Sequence, residues 1–389
     1  MKMVKDNRIF VDIHVLQSLP ASCVNRDESG CPKTAIYGDV IRSRVSSQAW
    51  KHRMREDFKN GRDYSSDFDI SVRSASMYKK IAEAYNEYCD QKGIGDRMSE
   101  DEAEERAKKE LEPFMAAKSS DKNNKSKKAK SSDDDDPGEE TAKSESSGKV
   151  VLALSHAEIK ILAELCATED AESREKLLND LDNLKPAIDI AMFGRMIANK
   201  KDKCVDACCQ VAHAISTHEV LNELDFFSAG DDVSDSTVHL GNSVFNSSVL
   251  YRYANVDFTA LSKAIPDSAM DALIMFIKSF VCSMPTGKVN SYANNTLPEL
   301  VYVCIRHDKP INLVGAFEKP VKSKGNGYME PSKTRLGEYV GDIYKMYGSP
   351  AIELDLCGDI ADKVDTDGYS SALEALCGSV RFCLTENPV

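Results

Sequence analysis

The chain has 389 residues, of which 42% are hydrophobic, enough for one large domain with insertions or for about two to three smaller ones. Its formal net charge of −13 argues against nonspecific nucleic-acid binding over the whole surface, and leaves room only for a local basic groove. No apolar run is long enough to span a bilayer and Met1 to Arg8 lacks a hydrophobic leader core, so a cytosolic protein with no membrane partner is expected.

Arg8 to Gln17 alternates, with Ile9, Val11, Ile13 and Val15 on one face and Phe10, Asp12 and His14 on the other, the pattern of a half-buried strand. A polar loop, Ser22 to Lys33, follows. Ser43 to Arg55 then joins a basic strand end, a hydroxyl-rich helix cap and a basic helical face. With Ser46 or Ser47 as the cap, Lys51 and Arg55 lie four apart on one face, while Trp50 and Met54 share a neighbouring face that packs inward. The free N–H groups of the first turn, the two hydroxyls, Gln48 and the basic pair suit a chain of phosphates. The plainer alternative is a solvated helix face behind a common Ser-Ser cap.

Helical patterns dominate from Ser71 to Leu184. Ser71 to Gln91 is amphipathic and stopped by Gly93, and Ser99 with Glu102 and Ser155 with Glu158 form capping boxes. Between them Lys118 to Lys149 is rich in Lys, Ser and Asp with almost no apolar residues, which predicts a mobile loop inside a helical insertion; an acidic mimic of nucleic acid is the alternative. Asp202 to Ile215 reads as a buried amphipathic helix. Glu219 to Ser247 is a polar excursion with Phe226-Phe227 at its middle, and Val249 to Phe258 is strand-like. Met270 to Met284 is an apolar helix, Leu300 to Arg306 and Ile311 to Val321 read as strands, and Arg335 to Tyr347 and Tyr369 to Phe382 as helices. This order suits an α+β fold and is compatible with a split βαβ sheet of the ferredoxin or RRM kind.

Few residues point to catalysis. There is no phosphate loop, nucleophile elbow or zinc-protease helix. His213 and His218 lack a carboxylate at metal-ligand spacing and read as structural. None of the 12 cysteines forms Cys-x-x-Cys, and Cys204, Cys208 and Cys209 read as buried reduced thiols. No metal, cofactor or catalytic residue is expected. Asp27 is the acid that the loop would set beside a groove holding phosphates; it suits acid/base or metal-assisted phosphodiester cleavage, or simply a turn. Phe226 and Phe227 read either as a small satellite cluster at a hairpin or as a wedge between stacked bases. Met196 is a second apolar contact or core filling.

Several ordered motifs together resemble one family. Ile13-His14-Val15-Leu16, Ser22 to Asp27, Lys33 to Gly38 and Arg44-Val45-Ser46-Ser47-Gln48 are similar to the backbone subunit of type I-E CRISPR Cascade complexes, a RAMP-superfamily protein of Cas family seven. The resemblance continues through Asp189 to Met196, Ala212 to His218, Phe245 to Asn255 and Ala316 to Lys319, so it runs from the first strand to beyond residue 330. It implies an RRM-like palm (residues 1–60, 186–214 and 248–389), a helical fingers insertion (61–185) and a β-hairpin thumb (215–247). It also implies a non-catalytic protein whose copies stack along a guide RNA and kink out bases at regular intervals, with target DNA read by guide pairing and other Cascade subunits as partners. Arg26, Lys33, Ser46, Gln48, Lys51 and Arg55 fall on guide-backbone positions, and Met196, Phe226 and Phe227 on base-contacting ones. The competing reading is an RNA-guided ribonuclease like the type III relatives, with Asp27 as their cleaving aspartate. Three departures from the family stand out: the long Lys118 to Lys149 loop, Asn199-Lys200-Lys201, and Gly30-Cys31-Pro32 before Lys33.

Overall fold

The computed structural model describes residues 8–60, 68–95, 97–114, 151–197, 200–230 and 237–386. The predicted 118–149 loop lies outside them. The chain opens with β1 (Phe10–Ser22), the hairpin β2 (Thr34–Tyr37) and β3 (Val40–Val45), and α1 (Ser47–Asn60). The next stretch holds β4 (Val72–Ser74), α2 (Met77–Lys92), α3 (Glu100–Leu111), β5 (Leu152–Leu154), α4 (His156–Ala167) and α5 (Ala171–Asn183). It is followed by α6 (Ile188–Phe193), β6 (Cys209–Val211), β7 (Ala214–Ser216), β8 (Glu223–Gly230) and β9 (Thr237–Asp257). The last part contains α7 (Phe258–Ala264), α8 (Ala269–Cys282), α9 (Val289–Tyr292), β10 (Leu300–Arg306), α10 (Met329–Tyr347), β11 (Ile352–Asp355) and α11 (Ala372–Glu386). Among the described residues no helix is long and apolar enough to cross a membrane.

The expected α+β architecture is present, built on a mainly antiparallel sheet in the order β11-β10-β1-β9-β7-β3-β2, with β6 and β8 also paired to β9. β1 is its axis, paired with β10 on one side and β9 on the other, so its backbone groups are satisfied along most of its length. Ile9, Val11, Ile13 and Val15 point into a core closed by Trp50, Met54 and Phe58 of α1 and by α8 and α11. Burying each such side chain is worth about 1.5–3 kcal/mol.

The strand is not half-buried as its alternation suggests. Asp12 and His14 are each only 1% exposed, because a second layer containing Leu313, Phe317, Leu336 and Val340 covers the other face. The polar groups there are paired: the Tyr253 hydroxyl donates to Asp12 at 2.8 Å and the Ile311 N–H at 3.0 Å. Burial pushes the Asp12 carboxyl up to about 7, against the pull of those two donors and of Arg306.

A second core joins α2, α3, α4 and the β4–β5 pair, with both expected capping boxes formed at Ser99/Glu102 and Ser155/Glu158. Gly93 ends α2 in the left-handed conformation, φ 67°. This helical unit is tied to the sheet core through buried Asp189, whose carboxylate accepts the Ser71 N–H at 2.8 Å and the Ser71 hydroxyl.

Several expected elements differ. Ser71 to Gln91 begins with the strand β4 before α2 starts. Asp202 to Ile215 is not a helix but a 3-10 turn followed by β6 and β7, which pair with β9. Ile311 to Val321 is not a strand: Asn312 caps a 3-10 turn, its side-chain oxygen accepting the Val314 N–H at 3.0 Å. Cys208 and Cys209 are buried thiols as expected, but Cys204 is exposed.

Candidate nucleic-acid interface

The Ser22 to Lys33 loop and the start of α1 form one unit. Asn25 joins them: its carbonyl accepts the Lys33 N–H at 2.9 Å, and its side-chain oxygen accepts the Ser46 N–H at 2.9 Å. Ser46 is the cap, with its hydroxyl accepting the Ala49 N–H at 3.3 Å. Its side chain is therefore buried and engaged, while Ser47 and Gln48 stand half-exposed in the first turn. Arg26 is exposed beside them and Lys33 half-exposed. The Arg44 N–H bonds the Lys33 carbonyl at 2.9 Å, which brings a further cation to this edge. Its guanidinium donates to Thr34 O at 3.2 Å and to His213 Nδ1 at 3.2 Å.

Asp27 sits within this loop as a turn residue. One carboxylate oxygen accepts the Ser29 N–H at 2.9 Å, the Ser29 hydroxyl at 2.7 Å and the Cys31 N–H at 3.0 Å. The Ser29 hydroxyl and these N–H groups hold its carboxyl below the usual range. Among the described residues no cluster of three or more His, Cys, Asp or Glu side chains is arranged to hold a metal ion.

Further along α1, Trp50 and Met54 are buried as expected, and Lys51 and Arg55 lie half-exposed on the neighbouring face. Arg55 is stacked over the Phe193 ring, 5.2 Å from its centroid. Burial lowers its pKa to about 10, with the like charge of Arg73 adding to the effect, so it remains a cation at neutral pH. Three residues beyond Phe193, the chain presents Met196, 89% exposed, which excludes core filling. Its neighbour Arg195 anchors the turn with two bonds from Nη1 to Glu158, at 2.9 and 2.8 Å. Gly194, at φ 79°, lets the backbone pass within 3.1 Å of Val205 O and Ala207 N, measured from where a Cβ would sit.

Phe226 and Phe227 lie on β8, whose pairing with β9 forms a hairpin. Phe226 is 66% exposed, on the same face of the strand as exposed Leu224. The Phe227 ring covers Gly241 directly across the ladder; a Cβ there would lie 2.4 Å from the ring. The hairpin base is fixed by Asn246, which faces Ser22 of β1, accepts the Ser43 hydroxyl at 3.1 Å and donates to Asn222 at 2.9 Å.

The structure thus joins Lys33 and Ser46 through Asn25, next to Arg26 in the chain, sets Arg55 over Phe193 three residues before Met196, and carries Phe226 and Phe227 on a separate arm. The Tyr251 to Asn255 part of the Phe245 to Asn255 motif contributes to none of these. It runs through the sheet centre, where Arg252 is buried over Trp50 at 3.8 Å and donates to Gln17 at 2.6 Å. Asn25 and Arg44 were not singled out from sequence. Asn25 looks like any loop residue, and Arg44 reads as one charge among several until the fold sets it beside Lys33.

A family model described as CT1975-like protein matches residues 11–375. The chain belongs to the CT1975-like protein family. This CT1975-like chain is similar to a solved chain named "CRISPR RNA-guided surveillance complex, pre-nicking", with 27% identity and a TM-score of 0.70 over 95% of this chain and 99% of that one. It is also similar to a chain named "CRISPR RNA-guided surveillance complex", with 24% identity and a TM-score of 0.63 over 95% and 99%; that likeness speaks for the fold alone. A comparison with curated proteins gives no match.

Proposed function

We propose that this CT1975-like chain is the guide-RNA-coating backbone subunit of a type I-E Cascade complex. It grips the guide backbone without regard to sequence, kinks it at regular intervals and presents it to target DNA. Copies of the chain lie side by side along one guide, beside other subunits of the complex. The family match and the likeness at 27% identity support a guide-RNA role in CRISPR defence. The observation that carries the finer reading is the Asn25 junction, which locks a cationic loop onto the N-terminus of a basic helix.

The remaining features agree with this reading. The strand order β10-β1-β9-β7, with α1 following β1 and α8 following β9, suits an RRM-like palm. The second core suits the fingers and the β8–β9 hairpin the thumb. Exposed Met196 and Phe226 suit contacts to splayed bases. The reading takes the chain as one that holds RNA without cleaving it, which the turn role of Asp27, with one carboxylate oxygen accepting three bonds, supports.

Binding to two guide RNAs of unrelated spacer sequence, measured by fluorescence anisotropy across a salt series, tests the proposal. Equal affinities and equal, steep salt slopes are expected. A large difference between spacers, or no salt dependence, would contradict it. Incubation of the assembled complex with target RNA and a divalent metal is expected to leave the target intact; cleavage lost in Asp27→Asn would overturn the non-catalytic reading.

A further inference from the structure

The turn after α8 stands between the basic loop and the aromatic hairpin and touches both. Gly287 is pressed onto the loop: a Cβ there would lie 2.4 Å from Val24 O and 2.7 Å from Cys23 O. One residue later, Lys288 Nζ donates to the Ser243 hydroxyl at 2.7 Å. The Tyr292 hydroxyl meets the same oxygen at 2.8 Å, and its ring lies 6.0 Å from that of Phe245. Ser243 faces Asp225 in the hairpin, one step from the Phe226–Asn242 pair.

The backbone of this turn is strained in a specific way. Lys288 has φ 47° and Ala293 φ 46°, the left-handed region that side chains with a Cβ avoid. Such conformations persist where surrounding contacts over-determine them, and they concentrate at sites that hold a geometry for function. Lys288 is also an odd choice for a purely structural bond, since its ammonium is held by a neutral hydroxyl. Asn246 anchors the hairpin where β9 leaves β1. Ser243 is the second anchor, three residues further out.

We propose that Lys288 and Tyr292 are positioning residues of the RNA interface, holding the hairpin at a fixed angle to the loop of Arg26 and Lys33. The proposal rests on the guide-RNA reading. Phe226 and Phe227 then enter the strand at a constant distance from the phosphates the loop grips, which makes the spacing of displaced bases regular. The bond geometry does this work, not the charge of Lys288.

The test uses the full chain assembled on guide RNAs that each carry one 2-aminopurine, moved position by position. In the wild type, fluorescence enhancement recurs at a fixed interval. The Ser243→Ala/Tyr292→Phe double variant keeps every charge, and Lys288→Met removes one. Both are expected to bind guide RNA within about threefold of wild type, with enhancement peaks at least halved and spread to neighbouring positions. Unchanged peaks in the double variant would overturn the proposal. So would a Lys288→Met variant that keeps its peaks but loses affinity and about 0.7 of the salt slope, the signature of a direct phosphate contact. Hydrogen exchange on the RNA-free protein separates this claim from the reading beneath it. Amides of residues 224–228 are expected to exchange faster in the double variant while those of β1 do not change. That result stands even if the wild type binds no guide RNA, and unaltered exchange in 224–228 would refute the brace.

Discussion

Strand β9 does two different jobs along its 21 residues. Its inner part runs between β1 and the short strands β6 and β7, with Leu250, Ala254 and Val256 fully buried. Its outer part pairs with β8, where Leu224 is 76% and Phe226 66% exposed. The same backbone ladder thus serves a core at one end and an arm at the other. Exposed apolar residues in a row cost solubility and are retained where a partner covers them. The inner half holds the fold, and the outer half leaves apolar side chains exposed.

The largest effect expected from this contrast is on stability. Ile13→Ala, on the strand that pairs with inner β9, costs about 2–5 kcal/mol, read as a lower urea midpoint. Phe226→Ala changes stability by less than about 0.5 kcal/mol and abolishes base displacement in the bound guide. Comparable losses of stability in the two variants would break the contrast.

A second effect lies in the pH dependence of the inner half. Burial raises the Asp12 carboxyl from 3.8 to about 7, so between those values the folded state holds a proton that the unfolded state has released. Stability from this group therefore falls as pH rises from about 4 to about 7. Asp12→Asn removes that fall. Denaturant melts of the two proteins should diverge across this window in favour of the variant; parallel curves would contradict the assignment.

A smaller effect distinguishes the two cations of α1. Lys51→Ala is expected to lower the salt slope of guide binding by about 0.7 with little change in melting. Arg55→Ala also loses its seat on Phe193, worth about 0.5–2 kcal/mol, so it should melt earlier. Identical behaviour in both assays would show that one face of α1 does not divide as described. The smallest effect is at Gly241→Ala. The new methyl displaces the Phe227 ring, broadening base displacement, while stability shifts by less than about 1 kcal/mol because the strand gains what the ring contact loses.

What was legible in the sequence was local. The capping boxes at Ser99 and Ser155 depend on residues three apart, and the Trp50–Met54 face on helical spacing, so both read directly. Asp202 to Ile215 did not, because its apolar spacing fits a helix as well as two short strands, and pairing with β9, more than thirty residues away, decides. Likewise β11 is four residues whose strand character comes from β10. The candidate site followed the same rule. Its cations and aromatics stood out by type, and the resemblance placed them in roles. The Asn25 tie to Ser46 and the Lys288 bond to Ser243 appear only once distant segments meet.

The central claim is that the grip is repeated along one strand. Native mass spectrometry of the protein with guide RNAs that differ only in spacer length tests it most directly. The account predicts that the number of bound subunits rises in regular steps as the spacer lengthens. A fixed number of subunits at every length would contradict it.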